Sequence, residues 1–473
     1  MTLNSTDPRR QSELPTAGHW RVEAWATLKL ALPLAAAQLA QVAMHTTDVV
    51  MMGWLGPEAL AGGTLGSSLL FPIFLLGMGV VMATAPLAAQ ALGARKFREV
   101  RRSVRQGFWW SVVLAVPFTL LLWHGEAILL LLRQDPANAA LGQEYLRPAV
   151  WCLAPGWGVI VLRGFVSVHD RPRSVMVVTV AGFFVNAVTD YLLIFGKFGF
   201  PALGVAGAGV ATTVVNTLMF LALCLYVVRD RRFRRYALLA RFWRADWPRF
   251  REILRIGMPI GLTVLAEAGL FSAAAFLMGM IGTAELAAHA IALQCAAVAF
   301  MVPLGIGHAA TVRVGLAVGA GDPAGIGRAG WSALALAAGF SALPITLFLA
   351  APTILIGLFL DVGDPANAPA IGIAVSFLAV AALFNLVDGA QAVATGILRG
   401  LKDTTVPMLI AAGGYWLVGF TTSFVLGFYT PLAGIGVWLG LAGGLAVVSV
   451  LAIHRFHFRD RLMPGLVPSA SGG

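Results

Sequence analysis

The chain has 473 residues, of which 59% are apolar and only 12% charged, and its mean hydropathy is +0.82. Soluble domains carry roughly 45–50% apolar and about 25% charged residues, so the composition excludes a soluble globular protein and predicts a polytopic membrane protein. The formal charge of +11 raises nucleic acid as a partner, but the placement of the charges makes them an orientation signal, and no nucleic acid binding is expected.

The first 26 residues are polar and hold no apolar h-region, which predicts a cytoplasmic N-terminal segment at 1–26 and no cleavable signal peptide. Apolar runs follow at about 27–52, 60–91, 106–132, 148–168, 174–196, 205–228, 254–281, 287–318, 330–359, 370–396, 405–429 and 432–454. Each is long enough to cross roughly 30 Å of hydrocarbon. They predict helices because backbone groups in lipid must bond within their own segment, and the alternation of barrel strands is absent. The fold class expected is therefore an all-α membrane protein with twelve transmembrane helices.

Lys and Arg gather on one side of such a bundle: before span 1, after span 2 (Arg95 to Arg105), in the stretch Arg229 to Arg255, and at the ends of spans 4, 8, 10 and 12. The other side keeps Arg133, Arg147 and Lys197. Both termini are predicted to be cytoplasmic, with the basic loops against anionic lipid. The charged stretch 229–253 reads as a cytoplasmic linker between an N-lobe at 27–228 (spans 1–6) and a C-lobe at 254–455 (spans 7–12), with a cytoplasmic tail at 456–473.

The two halves repeat. At a constant offset of 226 residues Pro33 falls on Pro259, Gly53 on Gly279, Gly56 on Gly282, Gly79 on Gly305 and Gly93-Ala94 on Gly319-Ala320. Asp135-Pro136-Ala137-Asn138 recurs as Asp364-Pro365-Ala366-Asn367. Parallel six-span repeats are a transporter signature. The repeated glycines suit close helix packing, and Pro33 and Pro259 suit kinks and a hinge role.

Of 22 acidic residues, four fall deep in apolar runs: Asp48 in span 1, Asp190 in span 5, Glu267 in span 7 and Asp388 in span 10. None maps onto another acid, since Glu267 falls on Gln41 and Asp48 on Ala274. Carboxylates at such depth cost several kcal/mol and mark ion or proton sites. Asn186 and Asp190 share a helical face; if spans 1 and 5 meet, Asp48, Asn186 and Asp190 form one polar patch with His45 nearby. Glu267 and Asp388, with Asn385 one turn away, form the second candidate pair. His289 and His308 are read as structural polar contacts. Trp109, Trp110, Trp123, Trp151 and Trp157 are read as interfacial anchors, and Cys152, Cys224 and Cys295 as buried free thiols. Gly396-x-x-x-Gly400-x-Lys402 is spaced wrongly for a P-loop, and no metal, nucleophile or hydrolase motif occurs. An enzyme is not expected and no cofactor is implied beyond a coupling ion.

Several stretches resemble the multidrug and toxic compound extrusion (MATE) transporters of NorM type: Thr47-Asp48-Val49-Val50-Met51-Met52-Gly53, Lys197-Phe198-Gly199-x-Pro201-x-Leu203-Gly204, Glu267-x-x-Leu270-Phe271, Arg313-Val314-Gly315, and Asp388-x-x-Gln391 running to Gly396-x-Leu398-Arg399-Gly400-x-Lys402-Asp403. The resemblance implies two pseudo-symmetric six-helix lobes around a central cavity. It implies export of cationic amphipathic drugs or dyes from a bacterial inner membrane in exchange for H⁺ or Na⁺, by a chain expected to be monomeric. It implies cation coupling at Glu267 and Asp388 and coupling or protonation at Asp48, with Asn186 and Asp190 a matching polar pair. Phe384 stands where some Na⁺-linked relatives have Tyr, and Asp190 where some have Asn; together these favour H⁺. A flippase of lipid-linked sugars is the alternative. It would need a cationic cavity, and the sequence reading puts no Lys or Arg in mid-span. An ion channel is a more distant one.

Overall fold

The computed structural model describes residues 17–238, 242 and 246–462; Arg9, Arg10, Arg241, Arg244, most of the N-terminal segment and the tail past 462 lie outside the described residues. Among the described residues twelve helices are long and apolar enough to cross a membrane: α1 (His19–Leu55), α2 (Pro57–Gly93), α3 (Phe97–Leu122), α4 (Pro136–Val168), α5 (Pro172–Phe195), α6 (Val205–Arg229), α7 (Trp247–Ile281), α8 (Thr283–Ala320), α9 (Pro323–Ala350), α10 (Pro365–Gly400), α11 (Thr405–Phe428) and α12 (Ala433–His457). The described residues contain no strand. The protein is a multi-pass all-α membrane protein.

Two boundaries differ from the hydropathy reading in the same way. The third and ninth spans end at Leu122 and Ala350, and short helices, Gly125–Leu131 and Pro352–Ile356, take up the rest of each apolar run. The repeated Asp-Pro-Ala-Asn explains the restart. Asp135 Oδ1 accepts from the backbone N–H of Ala137 at 3.0 Å and Asn138 at 3.2 Å, and Asp364 Oδ1 from that of Ala366 at 2.9 Å. Each Asp caps a new helix whose first position is Pro, which has no N–H to lose.

Inside the first lobe α1 packs on α5 and α2 on α4; inside the second α10 packs on α8, α9 and α12. One apolar core runs through the first lobe and across to the second, and another, with Leu270, Met278, Phe377, Phe384 and Trp438, fills the rest of the second.

The lobes meet along a symmetric seam, and the repeated glycines make it. A Cβ on Gly79 of α2 would collide with the backbone of Gly261 of α7. A Cβ on Gly305 of α8 would stand 2.8 Å from the Ala31 carbonyl oxygen and 2.9 Å from the Ala35 nitrogen of α1. Ala35 and Gly261 are themselves repeat mates. Further down, Gly93 abuts Leu316 and Ala320, while Gly319 abuts Gln90 and Ala94, the same contact taken twice. Gln90 Nε2 donates across the seam to the Gly400 carbonyl at 2.8 Å, and Arg313 holds Glu23 through two bonds of 2.8 and 2.6 Å. Gly53, Gly62 and Gly66 on one side, and Gly269 and Gly279 on the other, meet only their own lobe. The lobes are thus closed together on the half that carries the linker, and Asp48 and Glu267 lie beyond the closed part.

The linker is tied down by charge and by indoles. Arg102 donates to Asp246 at 2.5 and 2.9 Å and to Glu99 at 2.6 Å, and Arg249 pairs with Glu99 and Glu252. The Arg102 guanidinium holds the Asp246 carboxyl below the usual range, so the tie persists at neutral pH and is lost only as pH falls through that lowered value. Trp109 Nε1 donates to the Phe242 carbonyl and Trp110 Nε1 to that of Phe250, both at 2.9 Å. These two indoles pin the linker rather than anchor in lipid headgroups. Trp157 also departs from the interfacial reading: it is fully buried and donates to the Phe74 carbonyl at 3.0 Å. Trp123 and Trp151 are exposed and pair edge to face. Cys152 is buried, Cys224 and Cys295 half-buried, and all three are free thiols.

Candidate functional site

In the first lobe the packing of α1 on α5 brings three of the sequence candidates together. Asn186 Nδ2 donates to Asp48 Oδ1 at 3.0 Å and to Asp190 Oδ2 at 2.9 Å. Asn186 and Asp190 are four residues apart on one face of α5, so the amide sits over its own helical neighbour and reaches across to α1. Asp190 is fully buried, Asn186 nearly so, and Asp48 is 9% exposed. Asn186 Oδ1 and Asp190 Oδ1 have no partner among the described residues. His45 is exposed on α1 and stays outside the hydrogen-bonded trio. Tyr145 of α4 is buried beside it, its hydroxyl against Ser67 and Thr212. Two buried carboxylates on a single amide, with spare oxygens and no cation bonded to them, can hold a proton or a small cation that offsets their like charges.

In the second lobe α7 and α10 face each other across the lobe interior. Glu267 and Asp388 lie close enough for their charges to interact, and Arg399 of α10 lies close to Glu267. Asp388 is buried and its Oδ1 has no partner among the described residues. Asn385, a candidate third ligand, is turned back onto its own helix and donates to the Ala381 carbonyl at 3.4 Å.

The sequence reading missed Tyr415 of α11. It is fully buried, its hydroxyl accepts from Gln391 Nε2 at 2.6 Å, and it stands near both acids. It lies in a π-helical stretch, Gly413–Phe420, inside α11, the kind of irregularity that re-aims side chains at functional sites. Phe384 is packed edge-on against Phe271 and Trp438, so the phenol of this cluster comes from α11 and not from the α10 position. A tyrosine in mid-span was the available signal, together with the Gly413-Gly414 pair beside it.

The two histidines part ways. His308 bonds Arg163 at 2.8 Å across the seam, which fits the structural reading. Buried His289 lies against the Trp438 ring, and neither of its nitrogens has a partner among the described residues. One expectation is corrected: Arg163 and Arg399, taken as span-end charges, line a cavity between the lobes. α4 runs five residues past Arg163, and although Arg399 is the last residue but one of α10, the packing of the lobes turns both guanidiniums toward this cavity. The described residues hold no group of three or more His, Cys, Asp or Glu side chains arranged to bind a metal ion.

Comparison with known proteins follows the same two halves. The MatE family model matches residues 33–192 and 259–425, two stretches that begin at the paired prolines. The chain is 49% identical over 449 residues, 94% of its length and 96% of the relative, to a protein named probable multidrug resistance protein NorM from Mesorhizobium japonicum. It is 47% identical over 449 residues, 94% of its length and 95% of the relative, to one of the same name from Brucella suis. Among solved structures it resembles a eukaryotic MATE transporter at 21% identity and TM-score 0.79, covering 94% of this chain and all of that one. It also resembles a MATE protein described in a bent conformation at 18% identity and TM-score 0.83, covering 96% of this chain and all of that one.

Proposed function

The chain belongs to the MatE family, and from that premise we propose a secondary active multidrug efflux transporter that exports cationic amphipathic drugs in exchange for H⁺ by alternating access. It is a transporter and not an enzyme. The observation that carries the choice of ion is the trio Asp48, Asn186 and Asp190, where one amide serves two buried carboxylates. A proton shared between the two carboxylates leaves a single charge on the pair, which both amide hydrogens of Asn186 serve, and an acid at 190, where some relatives carry Asn, adds a proton acceptor to this lobe.

On this reading Glu267 and Asp388 form a second protonation site, with Arg399 offsetting part of their charge. A cationic drug competes with protons for the two acidic pairs, and each ligand shifts the equilibrium between the two faces by its differential affinity for them. The termini and the arginine-rich linker lie on the cytoplasmic side of the inner membrane, against anionic lipid, and the protein acts as a monomer. The acids set deep in the spans, Asp48 and Asp190 above all, are the wrong charge for the pyrophosphate of a lipid-linked sugar, which argues against the flippase alternative.

The competition is open to direct test. Adding a cationic dye such as ethidium to the purified protein in weakly buffered solution should release protons in proportion to the dye bound, read with a pH indicator. Release should fall when Asp48→Asn and Glu267→Gln are introduced. Dye binding with no proton release, insensitive to pH but reversed by Na⁺, would replace H⁺ by Na⁺.

A further inference from the structure

The seam between the lobes holds a partly open cavity of about 40 Å³ whose polar lining includes Arg163 and Ser167 of α4, His308 and Thr311 of α8, and Arg399 of α10. Its charge is one-sided. Arg163 donates to Gln38 Oε1 at 2.5 Å and to His308 Nε2 at 2.8 Å, and neither partner is an anion. Because a guanidinium can only donate, His308 must accept through Nε2 and is therefore neutral here. Arg399 feels the charge of Glu267, but Glu267 does not line the cavity, nor does any other Asp or Glu. A second observation is independent of the charges. Ser167, one turn past Arg163 on the same helical face, is 3% exposed and its hydroxyl has no partner among the described residues. A half-buried guanidinium without a counter-charge and a buried hydroxyl without a partner both favour the same thing, a species that accepts hydrogen bonds and carries negative charge. Roughly 10–15 Å³ of such volume admits one water-sized sphere, so the space has room for one small inorganic ion with a water or two beside it.

We propose that this cavity binds a single small monovalent inorganic anion of chloride size, held by Arg163 and Ser167 from the first lobe and by Arg399 from the second. Because its ligands come from both lobes, the anion is bound only while the seam is closed, and it acts as a removable bolt on that face. A ligand at about 100 times its dissociation constant favours the state that binds it by about a hundredfold, so chloride should hold the seam shut by that order. The proposal does not depend on which cation drives export.

The experiment uses the full chain in detergent. Chloride-35 NMR should show line broadening with the wild-type protein that excess bromide reverses, reduced severalfold by Ser167→Ala and lost in Arg163→Gln. A spin-label pair on introduced cysteines at Arg98 and Ala324, with the three native cysteines changed to alanine, should show a longer inter-lobe distance population when chloride is replaced by gluconate. Should Arg163→Gln fail to fold, the Ser167→Ala comparison and the distance measurement still decide the matter. Broadening unchanged in Ser167→Ala, or distances indifferent to chloride, would mean that water alone fills the cavity and would overturn the proposal.

Discussion

Asp388→Asn should lower gradient-driven drug export by on the order of tenfold or more, a loss of about 1.4 kcal/mol or more in the coupled step, while leaving the protein folded. The substitution keeps the shape of a side chain that is 4% exposed and removes its charge and its titrating oxygen. It also gives the orphaned Oδ1 position no new reason to misfold, since an amide in that place is less costly to bury than a carboxylate. Glu267→Gln should act in the same direction. Asp48→Asn should do so through the other lobe, because it leaves Asn186 facing one carboxylate where it now serves two. The control is Asp361→Asn on an exposed loop, which should export at the wild-type rate. The measurement is efflux of a fluorescent cation from energised vesicles, with thermal melting to verify folding. Wild-type export by Asp388→Asn would remove that acid from the coupling path.

The second large effect concerns the seam. Gly79→Leu places a side chain where the Gly261 backbone now lies, and Gly305→Leu places one 2.8 Å from the Ala31 carbonyl. Helix backbone cannot yield as a flexible side chain would, so the closed face must part. Overpacking of this kind costs about 1–3 kcal/mol, enough to move the equilibrium toward the open seam by roughly fivefold to over a hundredfold. Each single variant should therefore show a larger open population in inter-lobe spin-label distances and a matching drop in export. The double variant should be worse than either, because each substitution wedges a different pair of helices, α2 from α7 and α8 from α1. Gly53→Ala makes the comparison: its nearest neighbour is the Leu60 side chain at 3.9 Å, and little should change. Unaltered distances in Gly79→Leu would show that the seam is not what limits closure.

Hydropathy and charge were enough to read twelve helices and two lobes from the residues, because lipid leaves the backbone few choices. The four acids set deep in apolar runs stood out for the same reason. The offset of 226 residues showed which glycines are scaffold, but not that they form one seam taken twice; that needs the fold, since Gly79 meets Gly261 and not its own repeat mate. Position along the chain misled for Arg163. It lies five residues before the end of α4, roughly 7.5 Å of helical rise, and only the tilt and packing of neighbouring helices decide whether such a residue reaches water or an interior cavity. Trp109 and Trp110 were misread because an indole near a span end suits a lipid headgroup and a linker carbonyl equally well. Tyr415 was missed because its orientation depends on a π-helical turn that hydropathy does not encode.

The central claim, proton-coupled export through two acidic sites, is met most directly in proteoliposomes loaded with a fluorescent cationic substrate. An inward proton gradient without Na⁺ should drive extrusion in the wild type, and Asp48→Asn and Asp388→Asn should each abolish most of it. Extrusion that follows a Na⁺ gradient and ignores the proton gradient would contradict the account.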